Sequence, residues 1–399
     1  MPEEDLTDPV GHKADGESTG KGGEPARLES VGIESPQPVP PPVLKAATWQ
    51  EKDEEGPWCP DPIHPYLGFE FRYERNPHEA KSASPGWHIV AATRRGRMHA
   101  HQGTHREDAY HFHIDDDFTI VCVSDGAGSY QYSRIGSEST CRKVVAEVAR
   151  TLESLCGKLK ASPEIVEEQM KRTIEEAVAG ACGFLHHLAR ESGSKPKDFR
   201  CTLVLGVLWQ GSGSPKLFFS QVGDGFMASL AKDGKAQRHG KSDSGDFSGE
   251  VNCFVPDEGA VENAKVIEVI DASNEDAFIF CSDGIEDPFY PTEKKSEVIF
   301  QQLRDGVADG AKLEGFTAQK PHGPVIGSTE AGERLATWLS FEKKGENDDR
   351  TMVVLHRSAA MLDRSPKVSA TIMAPVHPAP GAAEGIAAAV GGQIPGGEP

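Results

Sequence analysis

The chain has 399 residues, enough for one large domain or two ordinary ones. Its hydrophobic fraction of 37% is low for a wholly globular chain, and 42 glycines with 28 prolines predict unfolded flanks. The 42 basic and 62 acidic residues give a net charge of −20, which repels nucleic-acid backbones and anionic lipid, so neither nucleic acid nor a membrane is expected as a partner.

The two ends of the chain lack the periodic apolar pattern of folded elements. We expect residues 1–84, with the proline-rich stretch 37–43, to form a largely disordered leader, and residues 359–399, rich in Ala, Gly and Pro, to form a disordered tail. The first residues contain no apolar segment of signal-peptide length, and no stretch approaches the roughly 20 apolar residues of a membrane helix. The eight cysteines show no CxxC spacing and lie mostly in apolar runs, which predicts buried thiols in a reducing, cytoplasmic setting.

Residues 85–358 carry a dense pattern of strands and helices, and we expect them to form one domain. Strand-like runs occupy 87–93, 118–124, 201–209, 216–222, 226–230, 266–270, 277–281 and 351–356. Helical spacing covers 137–155, 163–191 and 331–340. Two long helices among many short strands favour an α+β fold of antiparallel sheets with helices on the outer faces. The polar, glycine-rich segment 232–255 is predicted to be a loop.

Acidic residues recur where the apolar strands begin or end. They are Glu107 and Asp108, Asp125, Asp283, Asp348 and Asp349, with Asp224 as a fifth position. A lone Asp-Gly pair is usually only a turn, so the prediction depends on the order and context of all of them. Carboxylates at strand ends can converge on one edge of a sandwich, and oxygen ligands without His or Cys suit Mg²⁺ or Mn²⁺. Glycine follows three of these aspartates, which lets the backbone approach closely or adopt positive φ.

In order and spacing, these segments resemble the metal-dependent protein phosphatases of the 2C type (PP2C), over about residues 86–357. The stretches that carry the resemblance are Gly96 to His99, Gly103 to Ala109, Asp125 to Gly128, Cys201 to Val204, Gly223 to Gly225, Ser282 to Gly284 and Asp348 to Thr351. The resemblance implies a PP2C-like α-β-β-α sandwich, in which two antiparallel sheets pack face to face between helix pairs. It also implies hydrolysis of phosphoserine and phosphothreonine in proteins, with a phosphorylated protein as substrate and an opposing serine/threonine kinase as a partner.

The same resemblance implies a role for each acidic residue at a site with two Mn²⁺ or Mg²⁺ ions. Asp125 would bridge the ions, and Asp283 and Asp348 would hold one of them. Glu107 and the carbonyl of Gly126 would hold the other. Asp108 would orient the attacking water, and Asp224 would hold a third ion together with Asp283. Two bridged ions can lower the pKa of water toward 7, so hydroxide is available at neutral pH.

Two positions depart from the family pattern. Gly103 stands where many members carry an arginine that grips the phosphate; Arg106, Arg134, His99 and His105 are the substitutes, with an arginine preferred because guanidinium binds phosphate in bidentate fashion. Ala127 stands where some members carry a histidine that protonates the leaving group, which leaves that role to water or to His101 or His105. These departures keep open a pseudophosphatase that only binds, and a phosphatase of small molecules is the other alternative. A zinc site among the five histidines between 94 and 113 is disfavoured because no cysteine lies at ligand spacing.

Overall fold

The computed structural model describes residues 78–81, 86–102, 104–240, 253–311 and 313–357. The predicted tail and the first 77 residues of the predicted leader lie outside the described residues, as do Gly103 and residues 241–252 of the predicted loop. The loop prediction is wrong at Ala236–His239, which form a strand at the edge of a sheet instead. No helix in the described ranges is both long and apolar enough to span a membrane.

Thirteen strands make up the described sheets. They are β1 (His78–Lys81), β2 (Trp87–Arg94), β3 (Ala109–Ile114), β4 (Phe118–Ser124), β5 (Leu203–Trp209), β6 (Lys216–Val222), β7 (Phe226–Ala231), β8 (Ala236–His239), β9 (Glu268–Asp271), β10 (Glu275–Cys281), β11 (Phe316–Ala318), β12 (Glu342–Lys343) and β13 (Arg350–Arg357).

Seven α-helices connect or cover these strands. They are α1 (Arg97–Gln102), α2 (Ser133–Ala161), α3 (Val166–Ser192), α4 (Ala260–Ala264), α5 (Asp283–Glu286), α6 (Thr292–Asp305) and α7 (Ala331–Trp338). The two ends of α3 illustrate how the sequence sets the limits of a long helix. Glu167 and Glu168 in its first turn complement the helix dipole, and Gly193 ends the helix in the left-handed conformation with φ of 68°.

The strands form two large antiparallel sheets and one small one. The six-stranded sheet has the order β1-β2-β13-β10-β7-β8, the five-stranded sheet has the order β3-β4-β5-β6-β9, and β11 pairs with β12. All strand pairs in both large sheets are antiparallel. Because neighbouring strands run in opposite directions, the start of β3 lies beside the end of β4, where Ala109 pairs with Ser124.

Three apolar layers hold the sandwich together. One packs α2 and α3 against the five-stranded sheet, and another packs α6 and α7 against the six-stranded sheet. The third lies between the sheets, where Val121, Val204 and Phe219 of one sheet meet Phe278 and Val353 of the other. Every residue of β4 is buried because helices cover one face of its sheet and the second sheet covers the other. The predicted α-β-β-α sandwich is therefore confirmed.

The predicted burial of the thiols is confirmed for most of the described cysteines. Cys122, Cys141, Cys182, Cys201, Cys253 and Cys281 are buried, while Cys156 is partly exposed. Burial raises the pKa of the Cys201 thiol to about 12 and that of the Cys182 thiol to about 11. These thiols are accordingly protonated at neutral pH and pack as small apolar side chains. Cys59 lies outside the described residues.

Candidate active site

The acidic residues meet at one edge of the sandwich, where strands of both sheets begin or end. Glu107 and Asp108 precede β3, and Asp125 follows β4, so both sets belong to the five-stranded sheet. Asp283 follows β10 and Asp348 precedes β13, which are paired strands of the six-stranded sheet. Asp224 lies in the turn that joins β6 of one sheet to β7 of the other. Carboxylate oxygens of Asp125, Asp224 and Asp283 all lie within 4.8 Å of one another.

Close backbone packing at the six-stranded sheet brings Asp283 toward Asp348. A Cβ atom on Gly284 would lie 1.7 Å from the carbonyl oxygen of Asp349, so only glycine allows this approach. Gly225, after Asp224, has φ of 85°, which a residue with a side chain rarely adopts. Gly225 thus has the predicted positive φ, whereas glycine at 284 is required by a neighbouring backbone carbonyl, a reason that was not predicted.

Burial and mutual repulsion make the ionised form of these carboxyls costly. Burial, followed by the charges of Asp283 and Asp108, holds the pKa of Asp125 well above its usual range. Burial and the charges of Asp224 and Asp348 do the same for Asp283. Burial is also the main cause that raises the pKa of Asp224 to about 7. Such repulsion is relieved when a cation lies among the carboxylates.

Several carboxylate oxygens at this edge have no hydrogen-bond donor among the described residues and are closed to solvent. They are Oε2 of Glu107, Oδ1 of Asp108, Oδ1 of Asp224 and Oδ1 of Asp283. A buried, unsatisfied carboxylate oxygen is unfavourable unless something binds it. A donor set made only of oxygens fits a hard divalent cation such as Mg²⁺ or Mn²⁺. The residues at this edge thus fit the ions that the family resemblance implies.

Hydroxyl groups next to the ends of two strands hold the Asp108 carboxylate and the Asp125 backbone. Ser282 Oγ donates to Oδ2 of Asp108 at 2.7 Å and accepts the N–H of Thr351 at 3.1 Å. Thr202 Oγ1 accepts the N–H of Asp125 at 3.0 Å, and the Thr202 N–H donates to the Asp125 carbonyl at 2.8 Å. These contacts hold Asp108 and Asp125 in place without using the oxygens that face the site.

Asp349 is a buried centre of contacts behind the metal-type ligands. Its Oδ1 accepts the N–H of Gly96 at 2.6 Å, and its Oδ2 accepts the N–H of Glu107 at 2.5 Å. His99 Nδ1 lies 3.0 Å from the same Oδ1. Burial alone would lower the pKa of His99, but the Asp349 carboxylate raises it to about 9. His99 and Asp349 therefore form a buried ion pair, and the same carboxylate holds the backbone of Gly96 and Glu107 against the start of β13.

The structure places the remaining predicted residues at different points of this region. Arg106 donates from its Nε to the carbonyl of Asp108, just before β3, at 2.9 Å. Arg134 is buried in the first turn of α2. Burial and the charge of Arg134 lower the pKa of His105 to about 4, so its imidazole is neutral at pH 7. His101 is exposed on α1. Gly126 lies at the edge beside Asp125 and pairs with Cys201 across an isolated bridge.

Three positioning roles were not predicted from the sequence: that of Asp349, which was named only as one of the acidic residues, and those of Ser282 and Thr202. All three residues lie inside stretches that resembled the phosphatase family, directly beside or opposite a predicted ligand. The feature of the sequence that could have indicated these residues is a second polar residue near each carboxylate at a strand end. That feature does not reveal a role, because the contacts join residues 77 to 253 positions apart.

The fold is thus a two-sheet sandwich whose edge carries an oxygen-rich, metal-type carboxylate site. The family model described as protein phosphatase 2C matches residues 95–316, which is more than half of the chain. The chain belongs to the protein phosphatase 2C family.

The solved structures to which the chain is similar are remote in sequence. A serine/threonine phosphatase from S. agalactiae is 13% identical, with 68% of this chain and 99% of that chain covered and a TM-score of 0.46. Stp1 from Staphylococcus aureus is 13% identical, with 70% and 99% covered and a TM-score of 0.43. The catalytic domain of the phosphatase PstP, solved with two manganese ions, is 16% identical, with 68% and 99% covered and a TM-score of 0.40. No curated protein sequence matches the chain significantly.

Proposed function

We propose that this protein is a metal-dependent phosphatase that removes phosphate from phosphoserine and phosphothreonine in proteins. The observation that carries the proposal is the set of buried, unsatisfied carboxylate oxygens that both sheets direct to one edge. Family membership supports phosphatase chemistry at that edge. The substrate class, phosphorylated side chains of proteins, follows the family resemblance of the sequence.

In this proposal the acidic residues act as ligands for two divalent cations. Asp125, Asp283 and Asp348 would hold one ion, and Asp125, Glu107 and the Gly126 carbonyl would hold the other. Asp224 with Asp283 accounts for a third, weaker position. Mn²⁺ or Mg²⁺ bound here supplies Lewis acidity toward the phosphoryl group and activates water for attack on phosphorus.

The chain's own residues then position the substrate and move protons. Asp108 is held by Ser282, and burial raises its pKa to about 6, so its carboxylate is suited to orient the attacking water and accept a proton near neutral pH. Of the two predicted phosphate contacts, Arg106 remains the candidate, because His99 is buried and paired with Asp349. No covalent intermediate on the protein is required.

The test is hydrolysis of a phosphothreonine peptide with Mn²⁺, with EDTA, and with Asp125→Ala and Asp283→Ala. We expect turnover by the wild type with Mn²⁺ and a loss of at least about a thousandfold in kcat for both variants and with EDTA, because each change removes ligands of the catalytic ion. Asp309→Asn, a change of an exposed aspartate outside the site, is the control and should retain full activity.

An inert, folded wild type with both Mn²⁺ and Mg²⁺ would contradict the proposal. It would favour a binding module, since Gly103 and Ala127 replace residues that grip phosphate and donate a proton in other members of the family. Faster turnover of phosphorylated metabolites than of phosphopeptides would instead assign the enzyme to small substrates.

A further inference from the structure

The turn that joins β6 to β7 carries Asp224 between two glycines in the left-handed region. Gly223 has φ of 84°, and Gly225 has φ of 85°. Both glycines are buried, so their carbonyl groups have little access to water and need hydrogen-bond donors from the protein. The position of the Asp224 carboxylate therefore depends on the groups that hold this turn.

One contact brings the turn close to the end of β10. Phe226, directly after the turn, pairs with Cys281, the last residue of β10. A Cβ atom on Gly225 would lie 2.7 Å from the Cys281 carbonyl oxygen, so the two backbones approach as closely as glycine allows. Asp283 follows two residues after Cys281, and its carboxylate lies within 4.8 Å of the Asp224 carboxylate. This approach places the two ligand candidates side by side.

The side-chain amide of Gln221, in β6, holds the backbone on both sides of Asp224. Its Nε2 donates to the Gly223 carbonyl at 2.9 Å and to the Gly225 carbonyl at 3.0 Å. A primary amide has two N–H bonds, and both are used here on the residues that flank one ligand candidate. The turn is thus fixed by a side chain that is not itself a ligand candidate.

The backbone just after β8 packs against the same amide. A Cβ atom on Gly240 would lie 2.3 Å from Oε1 of Gln221 and 2.7 Å from the ring of Phe219. This Oε1 is closed to solvent and accepts no hydrogen bond from the described residues. The opposite orientation of the amide would place its oxygen beside two carbonyl oxygens, so the observed orientation is kept although it leaves Oε1 without a donor.

We propose that Gln221 is a positioning residue for the third cation position, which Asp224 and Asp283 form. This inference rests on the proposed function and identifies a side chain outside the ligand set that determines the affinity of one position. Because the amide fixes the carbonyls on both sides of Asp224, the Asp224 carboxylate keeps its place beside Asp283 before a cation binds. Preorganised ligands bind more tightly, since less ordering is required on binding.

The experiment titrates the full chain with Mn²⁺ and measures the free ion by electron paramagnetic resonance, which gives the number and dissociation constants of the bound ions without substrate. We expect the wild type to bind two ions tightly and a third more weakly. Gln221→Met keeps the length of the side chain but has no N–H group. It should weaken the third ion by about tenfold or more and leave the first two unchanged.

A double-variant cycle tests whether Gln221 acts through Asp224. Asp224→Asn alone should abolish binding of the third ion, because it removes a ligand. Gln221→Met added to Asp224→Asn should then have no further effect on Mn²⁺ binding, because the group that it positions is already lost. A residue that only stabilised the fold would lower the unfolding midpoint without this selective effect on the third ion.

A pair of glycine variants tests the same contact without a change at Gln221. Gly240→Ala places a methyl group against the Gln221 amide and should weaken the third ion in the same way as Gln221→Met. Its matched control is Gly234→Ala, between β7 and β8. That glycine has φ of 87°, close to the 75° of Gly240, but nothing lies within 4 Å of the new Cβ atom. The control carries similar backbone strain and should leave all three dissociation constants unchanged.

An unchanged affinity for the third ion in both Gln221→Met and Gly240→Ala would overturn the positioning role. So would an equal loss of all three ions, or a wild type that binds only two. Turnover of a phosphothreonine peptide separates this inference from the proposed function. If the wild type hydrolyses no peptide but Gln221→Met weakens the third ion alone, the proposed function fails and the positioning role stands. Normal turnover with an unaffected third ion gives the reverse result.

Discussion

At the scale of single residues, the site contains carboxylates that repel one another and one buried ion pair, His99 with Asp349. The ligand carboxyls crowd together, and burial and mutual repulsion raise their pKa values. Behind them, the charge of His99 and three donated contacts offset the burial of Asp349 and lower its pKa. The backbone N–H groups of Gly96 and Glu107 both donate hydrogen bonds to that carboxylate. The His99–Asp349 pair is thus a structural support that the cation site needs even when no ion is bound.

This pair predicts a specific dependence of stability on pH. The pKa of His99 is raised from 6.5 to about 9, so its contribution is fully present below pH 6.5 and is lost as the pH rises through 9. We expect the loss of this contribution to lower the free energy of unfolding of the metal-free protein by on the order of 2 kcal/mol between pH 6.5 and pH 9.5. Urea denaturation in EDTA at each pH measures this change.

The variant that tests this prediction is His99→Gln. Its control is His187→Gln, on the exposed face of α3. His99→Gln should be less stable at pH 7, because it leaves the Asp349 carboxylate buried without its cation. Its stability should fall by about 2 kcal/mol less than that of the wild type over this pH range, and the fall that remains comes from the site carboxyls whose pKa values burial raises. His187→Gln should behave as the wild type. An equal fall in His99→Gln would show that other groups cause the pH dependence.

Single residues differ in how far the sequence alone reveals them. Asp125 and Asp283 stand directly after apolar strands and before glycine, so a local pattern identified them as ligand candidates. The role of Asp349 depends on contacts with Gly96 and Glu107, more than 240 positions away, and no local pattern encodes that distance. The pattern of the sequence made Asp348 and Asp349 equivalent; only the fold distinguishes the ligand candidate from its support.

At the scale of elements, the site depends on how tightly residues 282–284, at the junction of β10 and α5, pack against the start of β13. Gly284, in α5, lies against the Asp349 carbonyl, and Ser282, just before α5, links Asp108 to Thr351. This one short segment therefore contacts Asp349 and Asp108, which precede β13 and β3, and Thr351 within β13.

Gly284→Ala should consequently destabilise the protein strongly, by more than about 3 kcal/mol, because the added methyl group overlaps a backbone carbonyl that cannot move away. The matched control is Gly183→Ala in the middle of α3, where nothing lies within 4 Å of the new Cβ atom. That control should stabilise by roughly 0.5–1 kcal/mol, because alanine is the better helix former. Thermal unfolding of both variants measures the two changes in stability. Similar unfolding midpoints for Gly284→Ala and Gly183→Ala would contradict the packing argument.

Most elements that carry apolar runs could be predicted from the sequence, and those with polar patterns could not. The predicted strand 118–124 and the predicted strand 216–222 coincide with β4 and β6. By contrast β3, with the sequence AYHFHI, was not predicted, because it lies at the edge of its sheet and most of its side chains are only half-buried. The helix α6 was also missed, since charged residues fill its first half and its buried face is narrow.

At the scale of the whole molecule, the candidate site joins the two sheets. Asp108 and Asp125 come from the five-stranded sheet, Asp283 and Asp348 from the six-stranded sheet, and Asp224 from the turn between them. Cations at this edge would connect both halves of the sandwich and remove the repulsion between them. Metal binding should therefore stabilise the whole fold, in addition to supporting catalysis.

We expect Mn²⁺ at about 100 times its dissociation constant to raise the midpoint of thermal unfolding by about 5–10 °C over the protein in EDTA. Asp283→Asn should have a higher midpoint than the wild type in EDTA, because it removes one repelling charge, and a smaller rise with Mn²⁺, because it removes a ligand. Differential scanning fluorimetry measures both. A wild type with the same midpoint in Mn²⁺ and EDTA would exclude an ion that connects the sheets.

The buried thiols make the opening of each half of the sandwich observable. Cys122, Cys141 and Cys201 lie in the core under α2 and α3, whereas Cys281 lies in the core under α6 and α7. A thiol-specific alkylating reagent can reach these sulfur atoms only when the surrounding core opens. The rate at which each cysteine is modified, followed by mass spectrometry of the peptide that contains it, therefore measures how fast its own half of the sandwich opens. Equal rates in both cores would mean that the halves open as one cooperative unit, and unequal rates would identify the half that opens first.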